Sequence, residues 1–308
     1  MKPADYSKLL HQHYLAEFIP AGGSTVKFVV GDQHATRLFW TDLASLCPRF
    51  LVASAEASGG AVLHPLHNAF FQIARRVNWR SFARRFLLEA LLLSEWQIDA
   101  ATDLSIDSLA RWNGLTSVQV EDHVERLLSR LLYGKPGLAP EFRHCLATLV
   151  WAILLPEDYS RNFAGGVAEN WLTGQITAIH QCKPLHIYRR ITANNARSIL
   201  MSMCRVARQA GFDGTVLFID FSSYFGVAPS GRRYRVQRLM DLYETMRQFI
   251  DAADSLDSTL LCFAATRDFI GESPLSFRSY EALRLRLTNE AFALEYPNIL
   301  APLIELDA

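Results

Sequence analysis

Apolar residues follow two rhythms along this chain. Near both ends, short blocks rich in apolar and β-branched residues are bounded by turn residues and followed by helix-permissive stretches, while the middle repeats apolar positions three and four apart. Ser24 to Val30 reads as a strand that ends at Gly31 and leads into a helix from about Ala35 to Ser45. Arg49 to Ser54 reads as a second strand, running through the glycine pair Gly59 and Gly60 into helix near Pro65. From Pro65 to Tyr159 the spacing is helical almost throughout, as in Phe82-Phe86-Ala90-Leu93 and Val124-Leu127-Leu128-Leu131-Leu132.

A loop is expected over Ser160 to Gly166, then a Trp171-Leu172-Thr173-Gly174 element and a helix from Asn194 to Ala210 that stops at Gly211. Thr215 to Asp220 is an apolar run bounded by a turn and an acid, the pattern of a strand buried on both faces. A helix from Arg233 to Asp254, a strand from Thr259 to Ala265 and a helix from Ser279 to Glu290 complete the pattern. Strands alternating with helices predict an α/β fold with a parallel sheet, and a large helical insertion between the second and third core strands. The boundaries expected are residues 1–64 for the first part of the core, 65–160 for an insertion of winged-helix-like outline, and 161–308 for the rest of the core.

Composition narrows the function classes. Half of the 308 residues are hydrophobic, enough for a sizeable core, and 31 Lys and Arg balance 31 Asp and Glu. No global field draws the protein to nucleic acid or an anionic membrane, so any such contact must come from a local patch. The five cysteines are scattered, against a disulfide framework or a Cys-rich zinc site. The first residues lack the pattern of a secretory signal, and no apolar run reaches the roughly 18 residues of a membrane span. A cytoplasmic location is expected.

The strand-turn-helix around Gly31 is the context of a phosphate-binding loop, whose pattern is G-x-x-x-x-G-K-[ST]. Gly31 takes the place of the first glycine, but Thr36 stands for the second, Arg37 for the lysine and Leu38 for the magnesium-binding hydroxyl. A Cβ at Thr36 hinders close backbone approach, Leu38 cannot coordinate Mg²⁺, and Arg37 keeps charge without a lysine's geometry. An ordinary βα turn fits the same letters. At the end of the Thr215 strand, Asp220 fits a magnesium-holding acid, and Phe221 stands where a second acid would orient water.

The second half of the chain resembles the ATP-binding proteins of bacterial BREX phage-defence systems, the BrxD-like family of P-loop proteins. The resemblance rests on Trp171-Leu172-Thr173-Gly174, Asn194-Asn195-Ala196, Ala210 to Gly214 leading into Val216 to Asp220, Ala264 to Phe269, and Ser279 to Leu283 ending in Arg286-Leu287. It implies an AAA+-like P-loop NTPase fold, with ATP binding in typical members. It also implies Thr266 at a position that senses nucleotide and Arg286 as an arginine able to reach a neighbouring subunit. The departures at Thr36, Arg37, Leu38 and Phe221 point to a pseudo-ATPase, a scaffold or regulator that binds ATP or ADP without hydrolysis, or neither. The partners implied are other protein subunits, such as an active ATPase, helicase or nuclease, and DNA, with no membrane. A divergent ATP-hydrolysing AAA+ enzyme is the alternative.

Other features are weighed beside this. Arg75, Arg76, Arg80, Arg84 and Arg85, interleaved with Trp79 and Phe82, form a candidate nucleic-acid contact, with a solvated helix face as the plain alternative. Arg232, Arg233, Arg235 and Arg238 form a second basic run. Ser105 to Leu132 has the outline of a helix-turn-helix, but Gln119, Glu121, Asp122 and Glu125 on its second helix repel phosphate and favour a protein contact. His64 and His67 flank Pro65-Leu66 without a third ligand, so no metal is expected.

Overall fold

The computed structural model describes residues 1–57, 63–98, 104–134, 137–225, 236–273, 276–291 and 301–307. It divides into two compact units, residues 1–73 with 213–308 and residues 74–212.

The first unit is an α/β layer. Helix α1 (Pro3–Leu10) leads to β1 (Thr25–Val30), α2 (Gln33–Ser45), β2 (Leu51–Glu56) and α3 (Leu66–Arg76), whose last turn crosses into the second unit. After that unit come β3 (Thr215–Asp220), α10 (Val236–Asp251), β4 (Thr259–Ala265), α11 (Glu281–Ala291) and β5 (Leu303–Glu305). The five strands are all parallel, in the order β2-β3-β4-β1-β5. Alternation sorts the side chains. Val216 and Phe218, with Leu260, Cys262 and Ala264, pack under α1 and α2 against Tyr6, Phe39 and Leu43. Phe28 and Phe263 face the other way, toward Phe221, Phe249 and Phe269. Every residue of β4 is buried, as a central strand of a parallel sheet requires.

The order of the strands fixes where a ligand can bind. From β1 the chain crosses to the β2 edge and steps back through β3 to β4, whereas from β4 it passes over β1 to reach β5. Beyond the carboxyl ends of β1 and β4 the connections therefore diverge, and in open α/β sheets such a switch point opens a crevice.

The second unit is helical: α4 (Trp79–Leu92), α5 (Ile106–Asn113), α6 (Ser117–Leu128), α7 (Pro140–Leu154), α8 (Tyr159–Leu172) and α9 (Ala196–Gln209). Between α5 and α6 the outlined helix-turn-helix is present. Gly114 takes a left-handed φ of 62° at the end of α5, and Thr116 and Gln119 form a reciprocal capping box at the start of α6.

Three expectations are corrected. Residues 160–166, expected as a loop, lie in α8, whose start is fixed by the Asp158 carboxylate accepting from Arg161 N at 3.1 Å. Residues 161–212, assigned from sequence to the α/β core, cluster with the helices instead, because α8 packs on α7 and α9 on α4. Strand β5 was not anticipated, since three residues carry no period to read. Gly59, Gly60 and residues 233–235 of the predicted helix lie outside the described residues.

Candidate functional site

At the carboxyl edge of the sheet, Gln33, Glu56, Ala57, Asp220, Ser222, Ser223 and Thr266 line a cavity of about 170 Å³. Each comes from the first residues after a strand or from its last. Glu56 and Asp220 end β2 and β3 in direct register, so the parallel pairing itself sets two carboxylates side by side. Thr266 follows β4, and its Oγ1 is buried with no hydrogen-bond partner among the described residues. Asp220 accepts from Ser222 N at 2.7 Å. Burial raises its pKa, hydrogen bonding from Ser222 and the Arg37 guanidinium oppose the rise, and the Glu56 charge adds to it.

The turn after β1 is closed. Only Gly31 and Asp32 separate β1 from α2, and the Asp32 carboxylate accepts from Ala35 N at 2.7 Å, capping the helix. The helix thus begins two residues earlier than the sequence suggested. Packing accounts for a glycine at position 31. A Cβ there would come within 3.2 Å of Leu306 Cβ, and Gly31 N donates to Ala265 O. Thr36 is buried inside α2 with its hydroxyl donating to Asp32 O, Leu38 lies on the exposed face, and Arg37 is exposed near enough to Asp220 to act on its charge. A triphosphate cradle needs a loop of several free N–H groups ahead of the helix. Among the described residues that loop is two residues long, with a carboxylate at its helix end. The cavity is also smaller than the roughly 300 Å³ at which small-molecule pockets begin. These residues do not fit a triphosphate held in the P-loop manner.

Phe221 is 2 % exposed and packs against Tyr224 and Phe263, with ring centroids 5.6 and 5.9 Å away. The position expected for a second acid is part of the aromatic core. Arg286 is engaged within its own unit: its guanidinium meets both oxygens of Asp251, which also binds Arg247. Sequence reasoning missed Glu56 and Gln33. Extending the second strand by two residues would have brought Glu56 level with Asp220.

The arginine-rich segment is largely spent on internal ties. Arg75 Nε donates to Thr173 O, and Arg80 pairs with Glu169 at 2.8 Å and reaches Asn162. Arg85 donates to Ala210 O and Gly211 O and lies over the Phe212 ring at 3.9 Å. Arg76 and Arg84 likewise have partners. Trp79 and Phe82, which stacking on bases would need exposed, are 3 % and 2 % exposed. Arg232, Arg233 and Arg235 lie outside the described residues. Among the described residues no group of three metal-ligating side chains forms, and no helix is long and apolar enough to cross a membrane.

Neither a curated protein nor a solved structure matches this chain. The parallel sheet, with its switch point beside β1, is that of a P-loop NTPase fold. Residues 8–308 match the family described as BREX system ATP-binding protein BrxC/D, and the chain belongs to this phage-defence family.

Proposed function

We propose that this protein is a pseudo-ATPase of its BREX system, a subunit that scaffolds or regulates other proteins without cleaving nucleotide. The observation that carries the reading is the two-residue turn between β1 and α2, with Asp32 capping the helix where phosphate oxygens would otherwise lie. A carboxylate at a helix N-terminus satisfies one of its donors and repels an anion. Thr36 inside the helix, Leu38 on its outer face and Phe221 in the core agree in direction: each would have to move or change for a magnesium-nucleotide to be held and hydrolysed.

Such a subunit works through surfaces, beside partners such as an active ATPase, helicase or nuclease. A second reading, a divergent nucleotide-dependent enzyme, draws on Asp220, the adjacent Glu56 and the Thr266 hydroxyl, which has no partner among the described residues. One experiment separates them. Titration calorimetry with ATP, ADP and Mg²⁺, with a turnover assay on the same preparation, is expected to give no turnover. Phosphate release abolished by Asp220→Ala would overturn the proposal in favour of the second reading.

A further inference from the structure

Two histidines distant in sequence meet within the helical unit. His144 lies on α7, and His186 follows a short 3₁₀ helix, Ile179–Leu185. Their ring centroids stand 5.5 Å apart, with the ring planes at 42°. Two imidazoles bound to one tetrahedral zinc have ring centres about 5 Å apart, as metal–nitrogen bonds of about 2 Å require. The outer side of each ring is held. Nδ1 of His144 is hydrogen-bonded to the Tyr133 hydroxyl at 2.8 Å, and Nδ1 of His186 lies 3.4 Å from the Tyr188 hydroxyl. Neither Nε2 has a hydrogen-bond partner among the described residues. Metal-ligating imidazoles are built this way: a neighbour bonded to one nitrogen sets the tautomer and the ring angle, and the other nitrogen keeps its lone pair.

The surroundings favour a cation. Both rings line a groove of about 570 Å³ that Glu121, Asp122 and Glu125 of α6 share with Arg161. Three carboxylates against one guanidinium leave the groove net negative, and none of the three is in an ion pair among the described residues. Burial, then the adjacent His186, lowers the His144 pKa, with Glu141 opposing the fall and Arg143 adding to it. The ring is therefore neutral at neutral pH, the state in which it binds metal. Local structure does not ask for a histidine at 186, where φ is 58°, a left-handed turn that glycine takes most readily.

The geometry points to a zinc site formed by His144 and His186 in this groove, with Tyr133 and Tyr188 orienting the rings and the α6 carboxylates offsetting the charge. Imidazole suits zinc, whereas magnesium and calcium take oxygen ligands. No group of three His, Cys, Asp or Glu side chains closes around a metal among the described residues, so the remaining coordination positions fall to water.

Calorimetric titration of zinc chloride into the untagged, metal-free full chain is expected to show one site with a Kd below about 100 μM, unaffected by excess Mg²⁺. His144→Ala should weaken it about tenfold or more, as should His186→Gly, whose new residue suits the left-handed backbone and keeps the fold, checked by circular dichroism. His64→Ala combined with His67→Ala should leave it unchanged. Tyr133→Phe keeps the ring, removes only the hydroxyl that holds Nδ1, and should weaken zinc about tenfold. A wild-type chain that takes up no zinc in this range would overturn the inference. Uptake that survives both histidine substitutions, or that is lost in the His64 and His67 variant, would place the metal elsewhere and overturn it too. A Tyr133→Phe chain that binds as tightly as wild type would overturn the role given to that tyrosine.

Discussion

The two sides of the switch point differ from the P-loop pattern in different ways. At the end of β1 the backbone itself is closed: a two-residue turn, a capped helix and a glycine packed against Leu306 leave no loop to wrap a phosphate. At the ends of β3 and β4 the backbone is open, and polar groups remain in Glu56, Asp220 and Thr266 around a small cavity. One side differs from that pattern in chain path and the other in residue type, with Phe221 where the pattern has an acid. A residue can be altered by one codon change, whereas a different loop requires the chain path to change.

That difference can be tested by restoring the missing letters. The largest effect is expected for Phe221→Glu. Burying a carboxylate in an aromatic cluster and removing a core ring should destabilise the fold by about 3–5 kcal/mol, read as a lower urea midpoint, with no ATPase gained. A stable, hydrolysing variant would show that Phe221 is not core-bound in solution.

Next is the triple change Thr36→Gly, Arg37→Lys and Leu38→Thr. It rewrites the motif but places glycine inside α2, at a cost of about 1–2 kcal/mol. Calorimetry should still detect no ATP, because the helix already begins at Gln33. Tight ATP binding by this variant would mean that letters, not chain path, closed the site.

Asp32→Ala removes the cap and should cost about 1 kcal/mol. It also removes the charge that repels anions, so weak phosphate binding, seen by calorimetry, is expected only in this variant.

The smallest effect belongs to Asp220→Asn, which keeps an oxygen to accept from Ser222 N. The folded-state pKa of Asp220 is raised, so the native state holds its proton more tightly than the unfolded chain. The contribution of Asp220 to stability is then greatest below the unfolded pKa and falls as pH rises through the folded one. Relative to wild type, Asp220→Asn should gain stability between acidic and neutral pH, measured by thermal melts across that range. A constant difference would mean that Asp220 titrates normally.

Much of the fold was legible. Thr215–Asp220 and Thr259–Ala265 match their strands residue for residue, because a strand buried on both faces leaves an unbroken apolar run between turn signals. Helix α2 starts two residues before the position its apolar spacing predicts, since Asp32 is an N-cap by type but also fits within the phosphate-loop pattern. The helical unit also extends further than the sequence predicts, to residue 212. Helix periodicity identifies α8 and α9, but says nothing about which neighbour buries their apolar faces.

The arginines make the same point about the site. Five close together in sequence suggest a patch, yet Arg75, Arg80 and Arg85 bond to residues about 80 to 125 positions away. Only a tertiary contact can tell a tie from a free charge. In α6 the outcome is reversed. The acids noted on its second helix remain without ion-pair partners among the described residues, facing a groove that periodicity could not foresee.

By itself the sequence determined the α/β class, the parallel sheet, the family and the departures from the P-loop letters, because each is written in local period or residue type. Tertiary structure alone decided that Glu56 stands beside Asp220, that Phe221 is core, that Arg286 is held by Asp251 and that His144 stands beside His186. Those facts depend on which distant segments meet, and the packing free energy that selects such meetings is spread over the whole core rather than recorded in any one stretch of chain.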